Sequence, residues 1–318
     1  MRAYAIHGAG GPEALIPEEV PVPQVRPGCS LIRIRAFGLN HSEIFTRQGL
    51  SPSVTFPRIL DIECTGGIAE TTDPERLPRG QKVVSLMGEM GHAFNGSYAE
   101  HALVPNGQIY SAASDLPWEK PATIPETGYT AYGSTQNLKV EDADHVLVRG
   151  ATSSVGIATA RLLVAAHPAL DLAGTTRNLA KDELLRHAGC RRIIEDRDGV
   201  LQTDGHLDKV LELIGPATLR DTFAHISEDG ICCCTGELGG KWYLDDHFDP
   251  IMDLPAHGYL TSFCSGNVDQ ARLQALFDEI ARSHADLGPA KVFPFSELRE
   301  AHAWLGSERS GGKAAVVL

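Results

Sequence analysis

Two textures divide the chain. Over roughly the first 115 residues, apolar positions come in short β-branched runs, "LIRIRAFGL" (31–39), "QKVVSLM" (81–87) and "EHALVP" (100–105), punctuated by proline and glycine. Short runs between turn residues predict an irregular, strand-rich region. From about residue 145 strand and helix patterns alternate. "HVLVR" (145–149) reads as a buried strand, Ser154–Ala166 as a helix and "LDLAGTT" (170–176) as a strand, and "AKDELLRHAG" (180–189) is a helix with a glycine stop. "RIIE" (192–195) and "DKVLELIG" (208–215) follow as strands. A helix opened by Pro216 would carry Leu219, Phe223 and Ile226 on one face, and "GICCCTG" (230–236) returns to strand. The tail predicts a helix from about Asn267 to Ser283, with Leu273, Leu276, Phe277 and Ile280 on one stripe, and a last strand in "GKAAVVL". Repeated βα units with buried strands predict an α/β fold, a doubly wound parallel sheet covered on both faces by helices.

A chain of 318 residues is long enough for two such domains. Its 28 basic and 41 acidic residues leave a net charge of −13, which repels nucleic-acid backbones and anionic membrane surfaces and points to a small-molecule partner. No run reaches the roughly 20 apolar residues of a membrane helix, and "MRAYAIHGAGG" lacks a signal peptide's apolar core, so a cytoplasmic location is expected. Seven cysteines (29, 64, 190, 232, 233, 234 and 264) form no CxxC pair and no metal-spaced cluster. Free thiols are expected, with "CCC" (232–234) acting as small apolar residues of a strand.

The stretch "RGATSSVG" (149–156) sits where a dinucleotide turn needs a strand end, a tight turn with little side chain, and a helix whose first N–H groups face the phosphates. Gly150 allows the turn and Gly156 allows close helix packing. Ser153 stands where a middle glycine is usual, and its hydroxyl can donate to phosphate or cap the helix. Twenty-one residues past Gly156, where NAD sites carry an acid for the ribose, the chain reads "GTTRNLAK", with Thr176, Arg177 and Lys181. An arginine there suits a 2′-phosphate, so NADPH is the expected cofactor. The earlier "GAGGP" (8–12) is followed by "PEALIPEEVPVP", which no phosphate-facing helix tolerates; it reads as a turn between strands.

Taken with "GGPEAL" (10–15), "AFGLNHSEIFTRQG" (36–49), "PRILDIECTGGI" (57–68), "GSYAEHALVP" (96–105), "PETGYTAYGST" (125–135) and "GYLTSF" (258–263), the chain resembles the medium-chain dehydrogenase/reductase superfamily, in its zinc-free quinone oxidoreductase or zeta-crystallin-like branch. The resemblance implies a GroES-like catalytic domain over residues 1–120, completed by 266–318, around a Rossmann nucleotide domain over 121–265, with the active site in the cleft between them. Zinc members carry Cys at the equivalent of Asn40 and His before Glu63; here Asn40 and Ile62 stand there, and the structural-zinc lobe is absent. The implied activity is zinc-independent hydride transfer from NADPH to a quinone or an activated C=C bond. Asn40 would donate to the acceptor, and solvent, His41, Glu43 or Tyr98 would deliver the proton, although Glu43 could instead hold the loop. The implied cofactor contacts are Asn40, Thr130, Gly150, Ala151, Thr152, Ser153, Ser154, Val155, Gly156, Thr176, Arg177, Lys181, Leu213, Gly236 and Phe263. Two departures mark the substrate side: Asp61, where the family usually has glycine, is either a substrate contact or an exposed variant, and Phe45 replaces a common tyrosine. A specialised biosynthetic reductase, one repurposed for non-redox chemistry and a non-catalytic NADPH-binding crystallin-like protein remain alternatives, and a homodimer joined at the nucleotide sheets is expected by analogy.

Overall fold

The computed structural model describes residues 1–111, 117–245, 247–307 and 310–318. By contact the chain forms two compact units, one of Met1–Thr127, Gly266–Leu273 and Leu287–Leu318, the other of Gly128–Ser265 and Gln274–Asp286.

In the first unit β1 (Arg2–Ile6) lies between β2 (Ile16–Glu19) and, further along the chain, β4 (Arg58–Ile59), both antiparallel to it. The "GAGGP" turn joins β1 to β2, its single proline, Pro12, opening a short 3-10 turn. The spine of the larger sheet is β3 (Cys29–Leu39), which exposes Arg33 and Arg35 while burying Ile32, Ile34, Ala36, Phe37 and Leu39. Helix α1 (His41–Arg47) follows it without a loop. Asn40 ends the strand in extended backbone, and the Glu43 carboxylate reaches back to accept from the Asn40 N–H at 2.5 Å, a capping box that starts the helix at once. β5 (Glu63–Thr71) and β7 (His101–Pro105) both pair antiparallel with β3, and β6 (Lys82–Leu86) and β8 (Ile109–Ser111) extend the sheet beyond β5.

Helix α2 (Pro125–Leu138) leads into the second unit, where β9 (His145–Arg149), α3 (Ser154–Ala166), β10 (Asp171–Thr176), α4 (Asp182–His187), β11 (Arg192–Arg197), β12 (Val200–Leu201), β13 (Leu207–Glu212), α5 (Leu219–Ala224), β14 (Ile226–Cys234) and β15 (Tyr259–Ser262) succeed one another. The sheet order is β12-β11-β10-β9-β13-β14-β15, parallel apart from β12. Winding runs outward from β9 in one direction and then resumes from β9 in the other, so the carboxyl end of β9 is the switch point where such sheets bind ligands. Both faces are covered: Val146 and Val148 pack into one apolar cluster and Leu147 into another, which is why the strand reads as a continuous apolar run. Cys232 and Cys233 are fully buried in β14, small apolar residues of the sheet.

The chain then forms α6 (Gln270–Ser283), β16 (Lys291–Pro294), α7 (Leu298–Leu305) and β17 (Ala314–Val317). β17 returns to the first unit and pairs antiparallel with β3. Three details depart from the sequence reading. The helix expected from Pro216 is confined to Leu219–Ala224, and Ile226 opens β14, because Leu207 and Ile226 are partners in the parallel ladder. The tail does not join the first unit as one block over 266–318, since Gln274–Asp286 groups with the second. The first unit also runs past 120 to Thr127: Ala122 packs with Ala36 and Ala315, and the Thr123 hydroxyl donates to the Leu287 carbonyl at 2.6 Å.

Candidate active site

At the carboxyl end of β9, Gly150 turns the chain with φ 83°, a value glycine adopts without strain. Its amide donates to Thr175 Oγ1 at 2.9 Å, and a Cβ in its place would lie 3.2 Å from side-chain atoms of Leu213 and Ile214. A Cβ at Gly156 would sit 2.7 Å from Ala151 Cα and from the Ala151 and Gly150 carbonyl oxygens, so the first turn of α3 rests directly on the loop. Ser153 caps that helix, its Oγ accepting from Gly156 N–H at 3.1 Å. Ala151 and Gly156 are buried, whereas Thr152, Ser153, Ser154 and Val155 are half-buried at the rim. A 13-residue helix thus starts directly on a loop of small residues, the kind of helix start that can receive an anion.

The neighbouring tips complete this end of the sheet. Thr176 is buried and accepts from Asn178 N–H at 3.0 Å, which turns the chain so that Arg177 is exposed. No hydrogen bond or ion pair ties Arg177 to the other described residues. Lys181 ends the short 3-10 turn that follows. Leu213 is buried at the crest after β13, and Gly236 lies so close that a Cβ there would meet the Leu213 carbonyl oxygen at 2.2 Å. Thr130 is buried on α2, and its carbonyl accepts from Ser134, whose hydroxyl pairs with Thr235 at 2.9 Å, next to Gly236. Phe263 packs edge-on against Tyr129 at 5.6 Å and fills the space over Gly133. Gly150, Thr176, Arg177, Leu213, Gly236 and Phe263 thus lie just at or beyond the carboxyl ends of β9, β10, β13, β14 and β15, whereas Thr130 is on α2 and Lys181 on the turn before α4.

In the first unit a buried polar knot surrounds Asn40. Lys313, just before β17, donates to Asn40 Oδ1 and to Glu63 Oε1, the latter at 2.6 Å. The Asn40 amide nitrogen in turn donates to Glu63 Oε1 at 3.1 Å and Glu43 Oε1 at 3.4 Å. Glu63 Oε2 accepts from Glu126 N–H at 2.9 Å. Both amide protons and the carbonyl of Asn40 are therefore engaged within the protein, which corrects the expectation that this amide donates to an acceptor. Burial pushes the Glu43 carboxyl up to about 8, against the pull of Lys313 and of its bond from Asn40 N–H. Burial also works against the Lys313 ammonium, but Glu63, Glu126 and Glu43 together hold its pKa above the ordinary value. His41, half-buried beside the knot, is held below the ordinary imidazole range by burial and by Lys313. Phe45 is half-buried on the same helix.

Two further expectations change. Tyr98 is fully buried, its hydroxyl 2.8 Å from His302 Nε2, and burial raises the phenol well above its ordinary value, so it is a core residue and not a proton donor to substrate. Asp61 is neither exposed nor turned outward. It is 1% exposed at φ 89°, with Oδ1 accepting from the Ile62 and Glu63 amides at 2.8 and 3.3 Å and Oδ2 from the Ser97 hydroxyl at 2.6 Å. Its carboxylate substitutes for the freedom of glycine by bonding its own turn. Lys313, His302, Ser97 and the pairing role of Glu63 went unread in the sequence, because each acts across a separation that no local pattern marks. Among the described residues no group of three or more His, Cys, Asp and Glu side chains is arranged to hold a metal ion.

One unit with a doubly wound sheet and a glycine turn at its switch point, and a second, β-rich unit with a buried polar knot, are the marks of a two-domain α/β oxidoreductase. The alcohol dehydrogenase GroES-like domain matches residues 26–114, and the zinc-binding dehydrogenase domain matches residues 188–316. A 2-haloacrylate reductase of Burkholderia sp is 25% identical, the match covering 100% of this chain and 99% of that protein. Human quinone oxidoreductase is 25% identical over 75% of this chain and 74% of its own length. Among solved structures, the yhdH oxidoreductase of Salmonella enterica in complex with NADP superposes with a TM-score of 0.86 at 19% identity, over 100% of both chains. The chain belongs to the medium-chain dehydrogenase/reductase superfamily, in its quinone oxidoreductase-like branch.

Proposed function

We propose that the protein is an NADPH-dependent reductase of an electron-poor acceptor, a quinone or an activated C=C bond, that works without zinc. The observation that carries this reading is the β9–α3 cradle with an exposed, unpaired Arg177 at the adjacent strand tip. A nicotinamide dinucleotide, when bound, supplies the hydride. The Thr152–Val155 rim and the first amides of α3 would hold its pyrophosphate, with Gly150 and Gly156 keeping side chains out of the way. Arg177 would pair with a 2′-phosphate by charge-assisted hydrogen bonds. The NADP complex of the Salmonella neighbour and the reductase and quinone oxidoreductase names of the relatives agree with this assignment.

On the substrate side, His41 is the candidate proton carrier. Its ring is kept neutral, is half-buried and makes no hydrogen bond to the described residues, so its N–H is available to a developing oxyanion. Asn40, Glu43, Glu63 and Lys313 form the frame that holds the first turn of α1, which begins with His41. Zinc has no place in that frame: Asn40 and Ile62 stand where zinc members carry Cys and His, and the Asn40 oxygen is taken by an ammonium. A homodimer is proposed as well, on the open edge strand β15 with Tyr259 and Leu260 exposed. The test is NADPH oxidation against a panel of quinones, enones and enals, with zinc measured in the same preparation. Turnover with at least one acceptor class and no stoichiometric zinc is expected. Tight NADPH binding with no turnover by any acceptor would replace the reductase by a binding protein.

A further inference from the structure

Arg149, the last residue of β9, is completely buried, and the mechanism above makes no use of it. A buried guanidinium is costly to desolvate and persists only where its donors are met. Here they are met by several elements. Nε donates to Asp196 Oδ2 at 2.8 Å at the end of β11, and Nη2 donates to the Gly199 carbonyl at 2.8 Å in the following turn. Nη1 reaches the Thr218 carbonyl at 3.2 Å, Thr222 Oγ1 at 2.8 Å and Asp221 Oδ2 at 2.8 Å, at the start of α5. Glu212, the last residue of β13, brings Oε2 to 3.9 Å from Nε and accepts there from the Thr222 hydroxyl at 2.6 Å.

The other oxygen of Glu212 faces the ligand end of the sheet. Oε1 accepts from the amides of Ile214 and Gly215 at 2.7 and 3.1 Å, gripping the crest that follows β13. That crest is the wall against which the glycine turn packs, since a Cβ at Gly150 would press on Leu213 and Ile214 at 3.2 Å. The Arg149 carbonyl also accepts from the Leu213 N–H at 3.1 Å. One side chain thus joins the carboxyl ends of β9, β11 and β13 beneath the loop that precedes α3. We propose that Arg149 is a positioning residue for the dinucleotide: with Glu212 it fixes the spacing between the glycine turn and the Leu213–Gly215 crest on which cofactor binding depends. The inference rests on the dinucleotide reading above and deepens it.

Only a planar fork reaches Asp196, Gly199 and Thr222 together, so lysine keeps the charge and loses the geometry. The test compares Arg149→Lys, Arg149→Met and Asp221→Asn with Leu170→Ala, a buried residue just before β10 at the opposite end of the sheet. Each protein is titrated with NADPH by fluorescence, and its Tm is measured without cofactor. The Kd for NADPH is expected to rise by about tenfold or more in Arg149→Lys, and to rise in Asp221→Asn, while Leu170→Ala at a comparable loss of Tm binds nearly as the parent does. If Arg149→Met fails to fold, the lysine and asparagine variants decide the question. A Kd in Arg149→Lys that follows Tm no differently from Leu170→Ala overturns the positioning role. If the parent protein binds neither NADPH nor NADH, the dinucleotide reading itself fails, a result distinct from any of these.

Discussion

Glu43 shows how a single residue can be legible in identity and illegible in role. Its spacing from Asn40 is visible in the sequence, and the capping box that results sets the start of α1. What the sequence hides is the lysine 273 residues away that closes on the same asparagine, and with it the reason three carboxyls tolerate burial together. Tyr98 misled for the same reason, because its partner His302 lies 204 residues further on. The pH behaviour follows from the burial. Glu43 has a folded-state value of about 8 against an ordinary 4.5, so the folded protein binds its proton more tightly than the unfolded chain does. The favourable contribution is present at low pH and is lost as pH rises from the ordinary value through about 8; Asp61, raised in the same direction, adds to it. Glu43→Gln can still accept from the Asn40 amide but cannot ionise. Its Tm should fall less than that of the parent between about pH 5 and about pH 9. Parallel Tm profiles would contradict the account of this knot.

At the scale of elements, β9 and α3 were readable to the residue because local signals agree: an apolar run, a glycine, a serine cap and a helical stripe. The stretch after Pro216 was not, since its apolar spacing fits a helix while the parallel ladder with β13 claims Ile226 for a strand. Gly156 is both the glycine of the turn motif and one that the packing of α3 on the loop demands. Gly156→Ala brings a Cβ to 2.7 Å from the Ala151 and Gly150 backbone, and backbone cannot step aside as a side chain can. Denaturant unfolding should give a loss of about 1–3 kcal/mol, and dinucleotide binding should weaken with it. A variant as stable as the parent that still binds the dinucleotide would mean that α3 does not sit on the loop as described.

At the scale of the whole molecule, texture foretold a β-rich part and a doubly wound part, but not how the tail is shared out. Residues 274–286 and 287–318 go to different units although they read as one C-terminal segment, because contacts distant in sequence, not composition, decide the grouping. No helix among the described residues is long and apolar enough to cross a membrane. The central claim, a phosphate-bearing dinucleotide held at the β9 switch point, is tested most directly by calorimetric titration of the parent and of Arg177→Asp with NADPH and with NADH. The parent should prefer NADPH, and the variant should lose about tenfold or more of its affinity for NADPH, the worth of a charge-assisted pair, with little change for NADH. Equal losses for the two cofactors, or a parent that prefers NADH, would contradict it.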